Sequence, residues 1–143
     1  MIIDANILLY ATDRSSRFHN AARDWLEQAL NGVGWIGFPW QSLIAFLRIA
    51  THPRAATEPM TPIEAWRHIE KWLAADVAWV PVPTDRHGEV LGKLITENEI
   101  RGNLVTDAHL AALAIEHGIG VCSADSDFAR FPVHWVNPLV SSA

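Results

Sequence analysis

Four aspartates fall where segments of different character meet. Asp4 follows the apolar residues 1–3. Asp107 follows Thr106 at the head of an apolar-periodic run. Asp125 and Asp127 stand just past residues 119–122. In open parallel α/β sheets, sites form at the carboxyl ends of strands where the strand order reverses. If the strands before Asp4 and Asp125 are neighbours, those two carboxylates converge, and Asp107 can join them from a helix N-terminus. Converging carboxylates repel and take up protons unless a cation neutralises them. Oxygen ligands without a Cys or His cluster suit Mg²⁺ or Mn²⁺. Such an ion activates water and stabilises charge developing on a phosphodiester, so the chemistry indicated is phosphate-ester hydrolysis. Each acid also has a plain structural explanation. Asp4 can end a strand, Asp107 can be a first-turn acid favoured by the helix dipole, and Asp125 and Asp127 can be turn formers. The weight lies in their coincidence at strand and helix ends.

The elements that must position these acids alternate along the chain. Residues 1–3 read as a short buried strand. A helix is expected over residues 18–30, where Phe18, Ala22, Trp25, Leu26 and Ala29 recur at three and four residues and Gly32 follows as a stop. Residues 35–38 read as a second strand. Pro39 opens a helix with Leu43, Leu47 and Ala50 on one face, ending before Pro53. Thr61, Pro62 and Glu64 form a capping box for a helix running to about residue 74. Residues 77–82 are the third strand, and Thr84 is expected to cap a helix containing Val90, Leu91, Leu94 and Ile95. Thr106 is expected to cap a helix over residues 107–117, with Gly118 as its stop. Residues 119–122 and 133–136 complete five strands. The alternation favours a parallel sheet covered on both faces, and residues 53–60 are the expected mobile loop.

The chain has 143 residues, near the commonest size of one domain, so a single domain over residues 1–143 is expected. Half the residues are apolar and 19% are charged, which excludes a disordered or fibrous protein. Cys122 is the sole cysteine, which excludes an intramolecular disulfide framework and a cysteine-built zinc site. No apolar run reaches the roughly 20 residues of a membrane helix, and the N-terminus lacks a basic flank, so no membrane partner and a cytoplasmic location are expected. The net charge of -5 argues against a polyanion as partner. Two features weaken that argument. Nine of the eleven basic residues are arginine, which grips phosphate through a planar fork, and metal ions on the carboxylates would offset the charge.

The runs MIIDANILLYA, WQSLIAFLRIATHPR, GNLVTDAHLAALAIEHG and CSADSDFARFP resemble those of PIN-domain ribonucleases of the VapC toxin type, in the mycobacterial-like branch. The resemblance covers almost the whole chain. It implies a PIN-like α/β/α sandwich with a five-stranded parallel sheet. It implies a Mg²⁺- or Mn²⁺-dependent endoribonuclease, neutralised by a cognate VapB-like antitoxin, and a homodimer. By position, Asp4, Asp107 and Asp125 match the family's metal ligands, and Asp127 matches a further acid of the catalytic set. Asn6 matches the polar residue that orients Asp4, and Thr106 is expected to support Asp107. One position departs from the pattern: Ala45 stands where many PIN domains carry a glutamate. Losing that ligand charge puts a fully occupied second metal site in doubt.

Other residues admit two explanations. Arg48, His52 and Arg54 suit contacts to RNA phosphate or to an antitoxin, or are solvated surface groups. Arg14, Arg17 and Arg130 read first as scattered surface charge. His109 and His117 are eight apart on one helix and are not a metal pair of i, i+4 type. Among seven tryptophans, Trp25, Trp66 and Trp72 fall on helical stripes and Trp35 and Trp40 bracket the second strand; one of the seven suits stacking on a nucleobase. The leading expectation is thus a metal-dependent endoribonuclease acting on structured RNA, such as a transfer or ribosomal RNA loop. The rivals are an RNA- or antitoxin-binding module that cleaves poorly, and a phosphoacceptor receiver domain, which needs an acceptor aspartate at the end of the third strand.

Overall fold

The structure, a computed structural model, describes residues 1–140. β1 (Ile2–Ile3) leads into α1 (Ala5–Thr12) and α2 (His19–Leu30). β2 (Ile36–Gly37), α3 (Trp40–Ala50) and α4 (Pro62–Leu73) follow. Then come β3 (Ala78–Trp79), α5 (His87–Glu97), α6 (Leu104–His117), β4 (Val121–Cys122), a short 3₁₀ helix (Ser126–Arg130) and β5 (Trp135–Val136). The strands make one parallel sheet in the order β3-β2-β1-β4-β5. The chain steps outward from β1 to β3, then returns to the other side of β1 for β4 and β5. The order therefore reverses between β1 and β4, where Ile2 pairs with Val121 and Ile3 with Cys122.

Alternation of side chains along the strands divides the interior. Ile2 and Val121 join the core built with α5, α6, Phe128 and Phe131. Ile3, Cys122, Ile36 and Phe38 join the core built with α1 to α4. A sheet buried on both faces explains why its strands read as short apolar runs rather than alternating ones. The expected α/β/α layering and five parallel strands are present, although each ladder is two residues long and shorter than the apolar runs suggested. No helix among the described residues is long and apolar enough to cross a membrane.

One helix is added to those expected, and two expected caps are corrected. The segment after Asp4 is a helix, α1, although it lacks a polar face to mark a helical period: Ala5, Ile7 and Leu8 are all buried. α6 begins at Leu104, with Asn103 at its N-cap, so Thr106 sits inside the first turn and is no cap; its hydroxyl donates to the Asn103 carbonyl at 3.0 Å. Thr84 does not cap α5, whose N-cap is Arg86. The Thr84 hydroxyl donates instead to Glu116 of α6 at 2.7 Å, and the same carboxylate binds His87 Nδ1. A second ring nitrogen of His87 faces His109 Nδ1 at 3.1 Å, so His109 belongs to a chain of hydrogen bonds between α5 and α6. The receiver-domain reading lacks its anchor. β3 is an edge strand that runs into Val80, Pro81, Val82 and Pro83, with no aspartate at its end.

Candidate active site

The carboxyl ends of β1 and β4 deliver the acids. The Asp4 backbone N–H donates to the Cys122 carbonyl at 3.0 Å, continuing the β1–β4 ladder by one residue. Beyond it the chain turns into α1, and Asp4 becomes the N-cap. Its Oδ1 accepts from the Ala5 N–H at 2.8 Å. Asp125 performs the same service after β4, capping the 3₁₀ helix by accepting from the Asp127 N–H at 2.8 Å. That turn folds the Asp127 carboxylate back towards Asp125. Asp107 arrives from the first turn of α6.

Carboxylate oxygens of Asp107, Asp125 and Asp127 lie within 4.8 Å of one another. Asp4 stands beside this trio and is joined to it through Ser123. The Ser123 hydroxyl donates to Asp4 Oδ2 at 2.7 Å and accepts from the Asp125 N–H at 3.0 Å and from Asn6 Nδ2 at 3.1 Å. Asn6 Nδ2 also reaches Asp4 Oδ2 at 3.2 Å, while Asn6 Oδ1 accepts from the Ala124 N–H at 3.1 Å. Asn6 and Ser123 thus lock the Asp4 rotamer and tie the two strand ends together. Ser123 is fully buried, and its hydroxyl uses its one donor and both acceptor sites.

The electrostatics of the trio and its neighbour are those of a group of acids that a cation would relieve. Burial, then the charges of Asp125, Asp4 and Asp127, push the Asp107 carboxyl up to about 7. Asp4 is also raised, chiefly by burial and against its hydrogen bonds from Ser123 and Ala5. A cluster of carboxylate oxygens in which Asp107 and Asp4 are raised fits a hard divalent ion, whose charge would offset the repulsion. Asp127 additionally faces Arg130 at 3.6 Å on the exposed rim. Thr106 contributes through its carbonyl, which accepts from Gln41 Nε2 of α3 at 3.0 Å. Ala45, one helical turn after Gln41, brings no carboxylate to this edge.

The remaining candidates lie elsewhere. Arg48 is exposed in the last turn of α3. His52 and Arg54 follow that helix, about 16 Å along its axis from the Trp40 end. The His52 ring is engaged locally, with Nδ1 accepting from the Arg54 and Ala55 N–H groups. A recess of about 480 Å³ at the far end of α1, lined by Tyr10, Asp13, Arg14 and Glu58 among others, contains none of Asp4, Asp107, Asp125 and Asp127.

Ser123 is the functional residue that sequence reasoning passed over. Its signal was a serine directly after an apolar strand run and two residues before an aspartate. Ser123→Ala is expected to cost about 1–3 kcal/mol, because it leaves buried partners unpaired. It should also weaken Mn²⁺ binding on the order of 10- to 100-fold, the scale for losing a group that orients a ligand. Thermal unfolding and calorimetric titration with Mn²⁺ read the two effects; unchanged Mn²⁺ affinity in the folded variant would remove Ser123 from the site.

Comparison with known proteins follows the same geometry. A family model for the PIN domain matches residues 1–133. The chain is 44% identical over 138 residues to Ribonuclease VapC37 of Mycobacterium tuberculosis (strain ATCC 25618 / H37Rv), covering 96% of each protein. It is 37% identical over 140 residues to Ribonuclease VapC43 of the same strain, covering 97% of this chain and 95% of that protein. Among solved structures, the crystal structure of VapBC2 from Rickettsia felis bound to a DNA fragment from their promoter matches with a TM-score of 0.70. The match covers 95% of this chain and 96% of that one, and at 18% identity it speaks for the fold.

Proposed function

The chain belongs to the PIN-domain family, among its VapC ribonucleases, and from that membership we propose that it is the toxin of a type II toxin–antitoxin pair, a Mg²⁺- or Mn²⁺-dependent endoribonuclease that cuts structured RNA. The observation that carries the metal-dependent chemistry is the meeting of Asp107, Asp125 and Asp127 beside Asp4 at the point where the strand order reverses.

When bound, the divalent ion supplies an activated water and stabilises the charge that builds on the phosphoryl oxygens. The chain's own residues do the rest. Asp4, Asp107 and Asp125 would hold the ion, with Asp4 fixed by Ser123 and Asn6. Asp127, grouped with Asp107 and Asp125 and facing Arg130, would be placed to take a proton from water. Gln41 braces the first turn of α6, and so the Asp107 backbone, from α3. The site lies at the carboxyl ends of the central strands β1 and β4, where an exposed RNA loop would have to reach it. That suits a transfer or ribosomal RNA loop, since sequence-specific recognition of RNA targets unpaired segments.

A cognate VapB-like antitoxin, a homodimer and a cytoplasmic location belong to the same reading. Sedimentation at micromolar concentration tests the dimer. Ala45 favours a second reading, an RNA- or antitoxin-binding domain with weak turnover, because it withholds one ligand charge. Incubating antitoxin-free protein with a total-RNA pool separates the two. Discrete fragments that form in Mg²⁺ or Mn²⁺ and vanish with EDTA support the ribonuclease. RNA that is bound and left intact in every lane supports the binding domain.

A further inference from the structure

We infer that Trp40, backed by Trp66, is a stacking platform for an unpaired base of the RNA that enters the acid cluster; this rests on the ribonuclease reading above. Trp40 is the first residue of α3, just past β2, and so stands at the same carboxyl edge of the sheet as Asp4 and Asp125. Its neighbour Gln41 donates to the Thr106 carbonyl, one residue before Asp107. That bond ties the head of α3, where Trp40 stands, to the first turn of α6 that carries Asp107.

The two indoles are nearly parallel, at 11° with ring centroids 6.4 Å apart, and each is 43% exposed. Core packing does not require them there. Trp72, on the same helix as Trp66, is the ring that fills the core, against Phe38 and Phe46. The surroundings select the partner. Trp40, Ile44 and Arg48 recur at four residues along α3, and Ile63 and Arg67 do so on α4. Both arginines are exposed and neither forms an ion pair among the described residues. Aromatic faces flanked by free guanidinium groups match single-stranded nucleic acid, whose bases stack on the rings while its phosphates take the arginines. An apolar protein segment would cover the rings and leave the arginines without partners.

The test uses the whole chain carrying Asp107→Asn, so that RNA is not consumed, and a labelled short single-stranded oligoadenylate in Mg²⁺. Adding Trp40→Ala should weaken binding on the order of 10- to 100-fold and remove most of the quenching of indole fluorescence. Trp40→Phe should keep most of both. With Asp107 intact, Trp40→Ala should raise KM far more than it lowers kcat. Equal affinity with and without Trp40→Ala, or no oligoadenylate binding by the Asp107→Asn parent, overturns the platform. Lost self-association with unchanged RNA binding overturns it too and assigns the face to a second copy of the chain. If the unmutated chain cuts no RNA yet binds it in a Trp40-dependent way, the platform stands and the nuclease reading fails.

Discussion

Asp107→Asn is expected to cut RNA cleavage by at least about 10²–10³-fold, the scale for losing one preorganised electrostatic contact at a reacting centre, while making the metal-free protein more stable. The two effects share a cause. Asp107 is crowded by Asp125, Asp4 and Asp127 in a half-buried position, which pushes its carboxyl up to about 7. A carboxyl whose folded pKa exceeds its unfolded value binds more protons in the folded state, so stability falls as pH rises from about 4 to about 7 and stays low above that. Asn carries no charge and escapes the penalty. Discounted for water access to a half-buried group, the gain above pH 7 is on the order of 1–2 kcal/mol, or a few degrees in Tm. The gap should close as pH falls towards 4. Saturating Mg²⁺ should narrow or reverse it, because the unmutated chain alone keeps the full ligand set and is stabilised by mass action. A variant that cleaves at near the unmutated rate would sink the assignment of Asp107. Equal melting temperatures across that pH range without metal would show that the carboxylate is not strained.

The second expectation concerns pH and metal together. Binding a divalent ion must displace the proton from Asp107. Below about pH 7 the apparent metal affinity should therefore drop about tenfold per pH unit, and above it the affinity should level off. Cleavage at sub-saturating Mg²⁺ should follow the same curve, and added metal should restore it at the acid end. Calorimetric titration with Mn²⁺ across about pH 5.5 to 8 should also show close to one proton released at the low end. A flat affinity profile over that window would contradict a cation held by this carboxylate. Proton release without any change in cleavage would separate the metal site from catalysis.

Much of the site is legible in the sequence. Asp4, Asp107 and Asp125 were singled out because strand ends and helix heads are where chemistry collects in a parallel sheet, and the structure does bring them to one edge. Asp127, two residues past Asp125, joins them because the 3₁₀ turn that Asp125 caps folds back on itself. α1 does not stand out in the sequence, because an eight-residue, mostly apolar helix has neither a polar stripe nor the length that reveals a period. Thr106 looked like a cap because Thr before an acidic residue is a common helix start, but Leu104 and Val105 are already helical. Ser123 escaped notice because its role is defined by partners 117 and 119 residues away, Asn6 and Asp4.

The sequence by itself determined the layered class, the order of the five strands and of every α-helix but α1, and the acids that could act, because each follows from side-chain period, capping chemistry and position along the chain. Tertiary structure alone decided the strand order β3-β2-β1-β4-β5, which makes β1 and β4 neighbours and turns scattered aspartates into one site. It also decided which tryptophan pair stays half in water and which ring fills the core. The physical reason is range. Local pattern reflects interactions across one turn or one pleat, whereas the charge repulsion at Asp107 and the bonds through Ser123 depend on segments about a hundred residues apart meeting in space.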